Sequence, residues 1–299
     1  MLVLGDRFEI FSAASAATVS KIPIAHLHGG ETTEGAFDEA FRHSITKMSH
    51  LHFTSTEEYR QRVIQLGEHP DRVFNVGAVG IDNIKKLQLL DREAFEKSIG
   101  FKLGQKNLLI TFHPVTLETA TAEQQFGNLL AALDKFENTH LIFTKANADT
   151  NGRIINSMID DFVAERKTTT VAFTQLGQLR YLSSMQYMDG VLGNSSSGLI
   201  EVPSFKIGTI NIGDRQKGRV KARSVIDCEP RVVEIMNGIR TLYSSEFQQN
   251  LVDLVNPYGE GGGSVEITNI ISSYSYPFTD ILKKSFYDLQ DCFQNADGT

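Results

Sequence analysis

The residues able to do chemistry in this chain stand in short polar strings. They are Gly5-Asp6-Arg7, His28-Gly29-Gly30-Glu31, Asp38 with Arg42, His113-Pro114, Lys145-Ala146-Asn147, Gly193-Asn194-Ser195-Ser196-Ser197-Gly198 with Glu201, and Gly213-Asp214-Arg215. Carboxylates and histidines in a partly apolar cleft have pKa values open to tuning, which suits them to proton transfer. Asp6 and Arg7 read either as an ion pair closing a sheet edge or as an acid–base carboxylate beside an arginine for an anionic ligand. Asp38 and Arg42, four residues apart on one helix face, read as a solvated pair adding roughly a few tenths of a kcal/mol or as site residues. His113 before Pro114 is either a loop histidine or a phosphate-binding or acid–base group.

Residues 193–198 sit between a buried strand and a short helix that must stop near Pro203. Small residues offering N–H groups at a helix start can cradle phosphate, with the serine hydroxyls as further donors; the plain alternative is a polar turn. No Walker lysine follows and no GxGxxG accompanies a strand, so a simple diphosphate ester fits better than a triphosphate or a dinucleotide. Glu201, three residues past Gly198, is either within reach of a ribose hydroxyl or a surface helix residue. His26, His28 and Glu31 raise a metal site, but no third ligand stands at zinc spacing and no HExxH occurs.

These strings need elements to hold them. Strands are expected at Leu2–Leu4, Ile22–Ala25, Leu51–Thr54, Val73–Val79, Asn107–Phe112, His140–Thr144, Thr170–Phe173, Gly190–Leu192 and Lys206–Ile212. Helices are expected between them, among them one with Phe37, Phe41, Ile45 and Met48 on a single stripe, one opened by the capping box Ser55-Thr56-Glu57-Glu58, and others over Ala122–Phe136 and Arg153–Arg166. The tail adds helices near Arg231–Tyr243 and Phe278–Cys292, separated by the glycine-rich 256–263, and Lys85–Lys106 is the best linker. Alternating strands and helices imply parallel sheets covered on both faces, an α/β class. Apart from the helical pair Asp38 and Arg42, each polar string then follows the carboxyl end of a strand, the edge where open α/β sheets bind ligands, and two such sheets facing each other would make one cleft.

Composition narrows the functions. The chain has 299 residues, 41% of them hydrophobic, and a formal net charge of −7. An acidic chain has no global field for nucleic acid or an anionic membrane. Cys228 and Cys292 are the only cysteines, which rules out a disulfide framework or a cysteine zinc site and makes a reducing compartment, the cytoplasm, the expectation. No apolar run approaches the ~18 residues of a membrane span.

Taken together and in this order, the strings resemble the hydrolysing UDP-N-acetylglucosamine 2-epimerase family of sialic and legionaminic acid biosynthesis. The resemblance rests on Gly-Asp-Arg-Phe-Glu at 5–9, His-Gly-Gly-Glu-Thr-Thr-Glu-Gly-Ala-Phe-Asp-Glu at 28–39, Arg-His-Ser-Ile-Thr-Lys-Met-Ser-His at 42–50, Thr-Phe-His-Pro at 111–114, Gly-Asn-Ser-Ser-Ser-Gly at 193–198 and Asn-Ile-Gly-Asp-Arg-Gln-Lys-Gly-Arg at 211–219. It implies two Rossmann-like domains of the glycosyltransferase-B type. Residues 1–95 would form a first domain incomplete at its N-terminus, 96–275 a UDP-binding domain, and 276–299 a helix crossing back to the first domain, with a tail. Roughly three βα units (~30 residues each) precede the corresponding start in the family, so a truncated first domain with an open sheet edge is expected.

The resemblance also implies roles. Asp6, His28, Glu31 and Asp38 are the expected catalytic residues. Some members carry a catalytic glutamate at the position of His28, so His28 or Glu31 must take that part. Arg7, Arg42, His113, Asn194, Ser195, Ser196, Ser197, Gly198, Glu201 and Arg215 are expected to bind the UDP-sugar. The implied reaction eliminates UDP from UDP-N-acetylglucosamine and hydrates the glycal to N-acetylmannosamine, with no metal or nicotinamide cofactor and a homodimer as the expected assembly. The alternatives are the same reaction on the 2,4-diacetamido-2,4,6-trideoxy sugar, a non-hydrolysing epimerase, a glycosyltransferase of the same fold, and a UDP-binding remnant without turnover.

Overall fold

The ten strands among the described residues pair in parallel, so each connection must cross over a sheet face, and helices supply most of the crossovers, the β9–β10 connection being made without one. The computed structural model describes residues 1–32, 38–114, 122–146, 150–274 and 279–289. The first elements are β1 (Leu2–Leu4), α1 (Phe8–Val19), β2 (Ala25–Leu27), α2 (Asp38–Met48), β3 (Leu51–Thr54), α3 (Glu57–Gln65), β4 (Val73–Asn75), α4 (Asp82–Lys86) and α5 (Arg92–Ile99). There follow β5 (Lys106–Thr111), α6 (Ala122–Leu133), β6 (Thr139–Thr144), α7 (Thr150–Glu165), β7 (Thr170–Phe173), α8 (Gln178–Met185), β8 (Gly190–Gly193), α9 (Ser197–Ile200), β9 (Gly208–Ile212) and β10 (Val225–Cys228). The chain ends with α10 (Val232–Leu242), α11 (Ser245–Gln249), α12 (Gly263–Ser272) and α13 (Thr279–Leu282). Two compact units result, Met1–Asp82 with Tyr258–Thr299, and Asn83–Pro257.

The second unit holds a six-stranded sheet in the order β10-β9-β8-β5-β6-β7. Counted from β5, this is the doubly wound order of nucleotide-binding folds, and its direction reverses between β5 and β8. Both faces are buried, as the near-continuous apolar runs require. Leu108, Ile110, Leu141 and Phe143 pack with α6, α7 and α10 on one side, while Leu109 and Ile142 pack with α5 and α8 on the other. The edge strand β10 was not expected from the sequence, because Asp227 and Cys228 interrupt any alternation in its four residues.

The first unit holds four strands in sequential order, β1-β2-β3-β4, with no reversal. Among the described residues β1 pairs with β2 alone, and Leu2 and Leu4 on it are exposed. The expected capping box opens α3, where Thr56 accepts the Tyr59 N–H at 3.2 Å. Strand β4 is shorter than expected, because the chain turns at Gly77 (φ +76°), where a Cβ would lie 2.8 Å from the Tyr258 carbonyl. The glycine-rich stretch opens α12: Asp82, buried, accepts the N–H groups of Gly262, Gly263 and Ser264 at 2.7–3.1 Å. A long tail helix over 278–292 is not formed. Helix α13 spans four residues and Lys283–Leu289 runs on without regular structure. The backbone there is engaged elsewhere, since Arg72 donates to the Ile281 and Lys283 carbonyls and the Tyr287 N–H bonds the Gly67 carbonyl. Residues 290–299 lie outside the described part.

Three buried histidines sit in this small unit, His26 and His52 paired across β2 and β3 and His50 just before β3. Burial pushes His26 down to about 3 and His50 down to about 4, and it lowers His52. His52 Nε2 donates to buried Glu68 at 3.0 Å. Burial would raise the Glu68 carboxyl, but hydrogen bonds from His52, Lys284 and Lys47 outweigh it and hold the group at about 2.

Two predictions follow from this packing. The three histidines are neutral when folded and have a pKa near ~6.5 when unfolded. The unfolded chain therefore binds more protons below that pH, and stability is lost as pH falls from about 6.5. Glu68 adds a loss of the same sign at lower pH, between about 4.5 and 2. Between about pH 7 and pH 5, His26 and His50 should each remove ~1–2 kcal/mol. Hydrogen exchange corrected for intrinsic rates should show strands β2 and β3 losing protection over that interval while β5 and β6 keep theirs; equal behaviour would refute the neutral-histidine account. The second concerns Gly193, at φ +136°, where a Cβ would lie 1.9 Å from the Thr111 carbonyl oxygen. Gly193→Ala should cost about 3 kcal/mol or prevent folding. Gly213→Ala, with positive φ but open space around it, should cost about 1 kcal/mol. Urea unfolding of the two variants gives the comparison.

Candidate active site

In the first unit the site is built around a buried guanidinium. Arg42, 1% exposed on α2, pairs with Asp6 just past β1 and with Glu39, and its Nη1 donates to the Glu31 carbonyl at 2.8 Å. The expectation of a solvated pair at positions 38 and 42 is therefore corrected: Arg42 turns inward because three acceptors meet there. Asp6 pairs with Arg42 and not with its neighbour Arg7, which is exposed and bonds Glu9 at 3.1 Å. Asp38 begins α2, and its carboxyl is raised above the usual range by burial first and by the charge of Asp6 second. A carboxyl raised in this way is better suited to hold and donate a proton than an ordinary aspartate.

The turn after β2 explains the spacing of His-Gly-Gly-Glu. His28 sits at φ +64° while its N–H still bonds the Phe53 carbonyl at 2.8 Å. A Cβ on Gly29 would crowd His26 and Thr46 at 3.1 Å, and one on Gly30 would lie 2.4 Å from the Tyr59 carbonyl. The two glycines let the chain fold back so that Glu31, buried, meets two side chains. Its Oε1 lies 2.6 Å from His28 Nδ1 and accepts from Ser55 Oγ at 2.8 Å. His28 Nε2 is buried with no partner among the described residues. His26, two residues earlier, has both ring nitrogens engaged, Nε2 with the Gly5 carbonyl at 3.0 Å and Nδ1 with Thr46 Oγ1 at 3.1 Å. It is a strut for the Gly5-Asp6-Arg7 turn. Among the described residues no group of three or more His, Cys, Asp and Glu side chains is placed to hold a metal ion.

In the second unit the residues gather at the switch point. Asn194 clamps the loop after β5, accepting the His113 N–H at 2.7 Å and donating to the His113 carbonyl at 2.8 Å. The Asn194 carbonyl in turn accepts from Arg215 Nη1 and Gln216 Nε2, each at 2.8 Å. Burial lowers the Arg215 pKa, and Arg219 adds to the effect. Within the turn, the N–H groups of Ser197 and Gly198 bond Ser195 Oγ and the Ser195 carbonyl; no hydrogen bond engages those of Ser195 and Ser196 among the described residues. Gly198 packs on Thr209, whose methyl would lie 2.6 Å from an added Cβ. Glu201 stands half-buried at the end of α9.

Beside this turn is a cavity of about 360 Å³, lined by Thr111, Thr144, residues 174–178, Tyr181, Ser195 and Ser197. Tyr181 OH donates to Ser197 Oγ at 2.8 Å, and Thr111 and Thr144 share a bond of 2.6 Å. The sequence reading missed Ser55, Tyr181 and Gln216. Ser55 and Tyr181 lie outside the polar strings, and Gln216 stands in the 211–219 string without being singled out; the fold is what brings each to the site. Lys145 pairs with Asp160 at 2.6 Å, and Asn147 lies outside the described residues.

Comparison with known proteins fits this arrangement. The family model described as UDP-N-acetylglucosamine 2-epimerase matches residues 1–272. A protein of Escherichia coli named polysialic acid biosynthesis protein P7 is 44% identical over 99% of this chain and 75% of its own length. The GDP/UDP-N,N'-diacetylbacillosamine 2-epimerase (hydrolyzing) of Campylobacter jejuni is 44% identical over 84% of this chain and 65% of its own length. The chain thus spans 65–75% of these relatives. In fold it is similar to the Neisseria meningitidis UDP-GlcNAc 2-epimerase solved with UDP-GlcNAc, at a TM-score of 0.79 and 20% identity over 91% of this chain and 76% of that one. The expected class, α/β with two Rossmann-like units of the glycosyltransferase-B type, holds. On these matches the chain belongs to the UDP-N-acetylglucosamine 2-epimerase family.

Proposed function

We propose that this chain is a hydrolysing 2-epimerase, converting UDP-N-acetylglucosamine and water to UDP and N-acetylmannosamine. The observation that carries the reading is the pair Asp6 and Asp38 about a buried Arg42, two carboxylates in unlike surroundings, one of them raised. A carboxyl raised by burial, as Asp38 is, suits the acid of such a cluster. His28 and Glu31 complete the proton-handling cluster. In the second unit, the cavity beside Ser195, Ser197 and Tyr181 suits a nucleoside, and the positive charge of Arg215 at the Asn194 turn suits a diphosphate leaving group. In this reading the C2–H bond breaks with its proton going to a base of the cluster. The C2–H electron pair forms the C1–C2 double bond, the C1–O bond breaks, and UDP departs with the C1–O pair. Water then adds, its oxygen to C1 and a proton to C2 on the opposite face.

A second substrate is favoured by a specific observation. The relatives named for diacetylbacillosamine are 44% and 35% identical to this chain, whereas a Neisseria meningitidis relative named UDP-N-acetylglucosamine 2-epimerase is 26% identical. The 2,4-diacetamido-2,4,6-trideoxy sugar is therefore the alternative donor.

Incubation with each sugar nucleotide, with UDP and the free sugar followed by NMR, tests both. UDP together with a manno-configured free sugar is the expected result, and the faster substrate identifies the donor. UDP binding without turnover would mark a nucleotide-binding remnant, and a UDP-linked product would mark a non-hydrolysing enzyme. Asp38→Asn should lower kcat by roughly 100-fold or more while leaving UDP affinity nearly unchanged. Ser197→Ala should weaken UDP binding by about 1 kcal/mol.

A further inference from the structure

We infer that Ser55, Glu31 and His28 form a positioning relay whose working atom is His28 Nε2, the base that removes the C2 proton. The inference rests on the 2-epimerase reading and divides the labour within its proton-handling cluster.

Both hydrogen bonds of the relay converge on one oxygen. His28 Nδ1 lies 2.6 Å from Glu31 Oε1, and Ser55 Oγ donates to the same atom at 2.8 Å. A carboxylate can only accept, so the ring proton must sit on Nδ1 and Nε2 carries the lone pair. A protonated ring would instead bury an Nε2–H with no acceptor, because that atom is enclosed and has no partner among the described residues. A buried ring nitrogen without a partner among the described residues, while its opposite is held by a carboxylate oxygen that is itself fixed by Ser55, is the arrangement of a base awaiting a proton.

The backbone supports this assignment. His28 occupies the left-handed region at φ +64°, a conformation an L-residue holds only where its surroundings fix it. What fixes it is visible: its N–H bonds the Phe53 carbonyl, the Gly29-Gly30 turn follows, and Arg42 holds the Glu31 carbonyl at 2.8 Å. Glu31 is spent on its two neighbours and buried, so it acts through His28. Ser55 lies 24 residues away in sequence, and its hydroxyl reaches Glu31 from the end of β3. In the step itself, Nε2 takes the C2 proton as UDP leaves with the C1–O electron pair, and the imidazolium so formed is stabilised by the Glu31 carboxylate. The ring returns its proton to solvent before the next turnover, and Asp38, on another element, supplies a proton to the opposite face of C2.

The test uses the full chain labelled with ¹⁵N-histidine, with His28 assigned by difference from His28→Gln. Long-range ¹H–¹⁵N spectra should show His28 as the neutral Nδ1–H tautomer; an Nε2–H tautomer would overturn the relay whatever the activity. In steady-state assays, Ser55→Ala should lower kcat roughly tenfold, one hydrogen bond's worth, with KM nearly unchanged, and Ser55→Thr should restore most of the loss. Glu31→Gln should lower kcat by several orders of magnitude, because an amide can hold the ring in the wrong tautomer. If the unmodified chain turns over and both variants match it, the relay is wrong and the 2-epimerase reading stands. If the unmodified chain releases no UDP from either sugar nucleotide, the 2-epimerase reading fails, while an Nδ1–H tautomer still upholds the Ser55–Glu31–His28 hydrogen-bond relay and an Nε2–H tautomer overturns it.

Discussion

The first unit depends on a single buried charge. Arg42 is held at 1% exposure by acceptors from three separate segments: Asp6 after β1, the Glu31 carbonyl after β2, and Glu39 on α2. Removing water from a guanidinium is expensive, and only a full set of acceptors offsets it. The three segments are therefore drawn to one point by the same requirement. Asp6 is placed at the strand end, Glu31 is brought beneath β3, and Asp38 starts its helix close enough to Asp6 for their charges to interact. Deleting one acceptor would leave a buried charge partly unmet, so the cluster is retained or lost together.

The second unit solves an equivalent problem with neutral groups. Its sheet reverses direction between β5 and β8, and the loops leaving those strands part there. Asn194 joins them by bonding both backbone groups of His113, and Arg215 and Gln216 brace its carbonyl. Gly193 is the condition for this clamp, since its carbonyl-crowded Cα leaves no room for a side chain. The result is a pre-shaped turn beside a cavity, with two serine N–H groups that no hydrogen bond engages among the described residues. In the proposed reaction, a turn that needs no reorganising suits a diphosphate leaving group.

Much of this was legible in the sequence because parallel sheets write themselves plainly. Runs such as Leu108-Leu109-Ile110 and Leu141-Ile142-Phe143 bury both faces, and each is followed by a polar string that the fold delivers to the carboxyl edge. Asp6, His28, Glu31, Asp38 and Arg42 could be named because they stand in the strings that resemble the epimerase family. What could not be read was which partner each would take. Arg7 and Arg42 are both candidates for Asp6 in the sequence, and only helix α2 packing on α1 decides for Arg42. Ser55 looked like part of a helix cap, and a hydroxyl's second use depends on a neighbour 24 positions away. The tail failed for a related reason: Ile281, Leu282 and Phe286 suit a helix, but Arg72 and Gly67 compete for the same backbone groups and win.

Histidine shows most clearly why composition alone does not reveal chemistry. His26 and His28 stand two residues apart at the end of one strand, in the same unit and near the same arginine. His26 is sealed, with a partner on each nitrogen, and burial holds it near pKa 3, so across physiological pH it is a fixed dipole. His28 is secured at Nδ1 and open at Nε2. The difference arises from one backbone torsion. At φ +64° His28 leaves the alternation that would have set its ring beside that of His26, and it turns toward Glu31 instead. A strand continuing regularly through position 28 would have produced two structural histidines, or the His-x-His of a metal site. The glycine pair that follows makes the departure possible, and the carboxylate three residues on makes it worthwhile. The difference between the two histidines is thus encoded less in the ring than in the turn that separates one from the other.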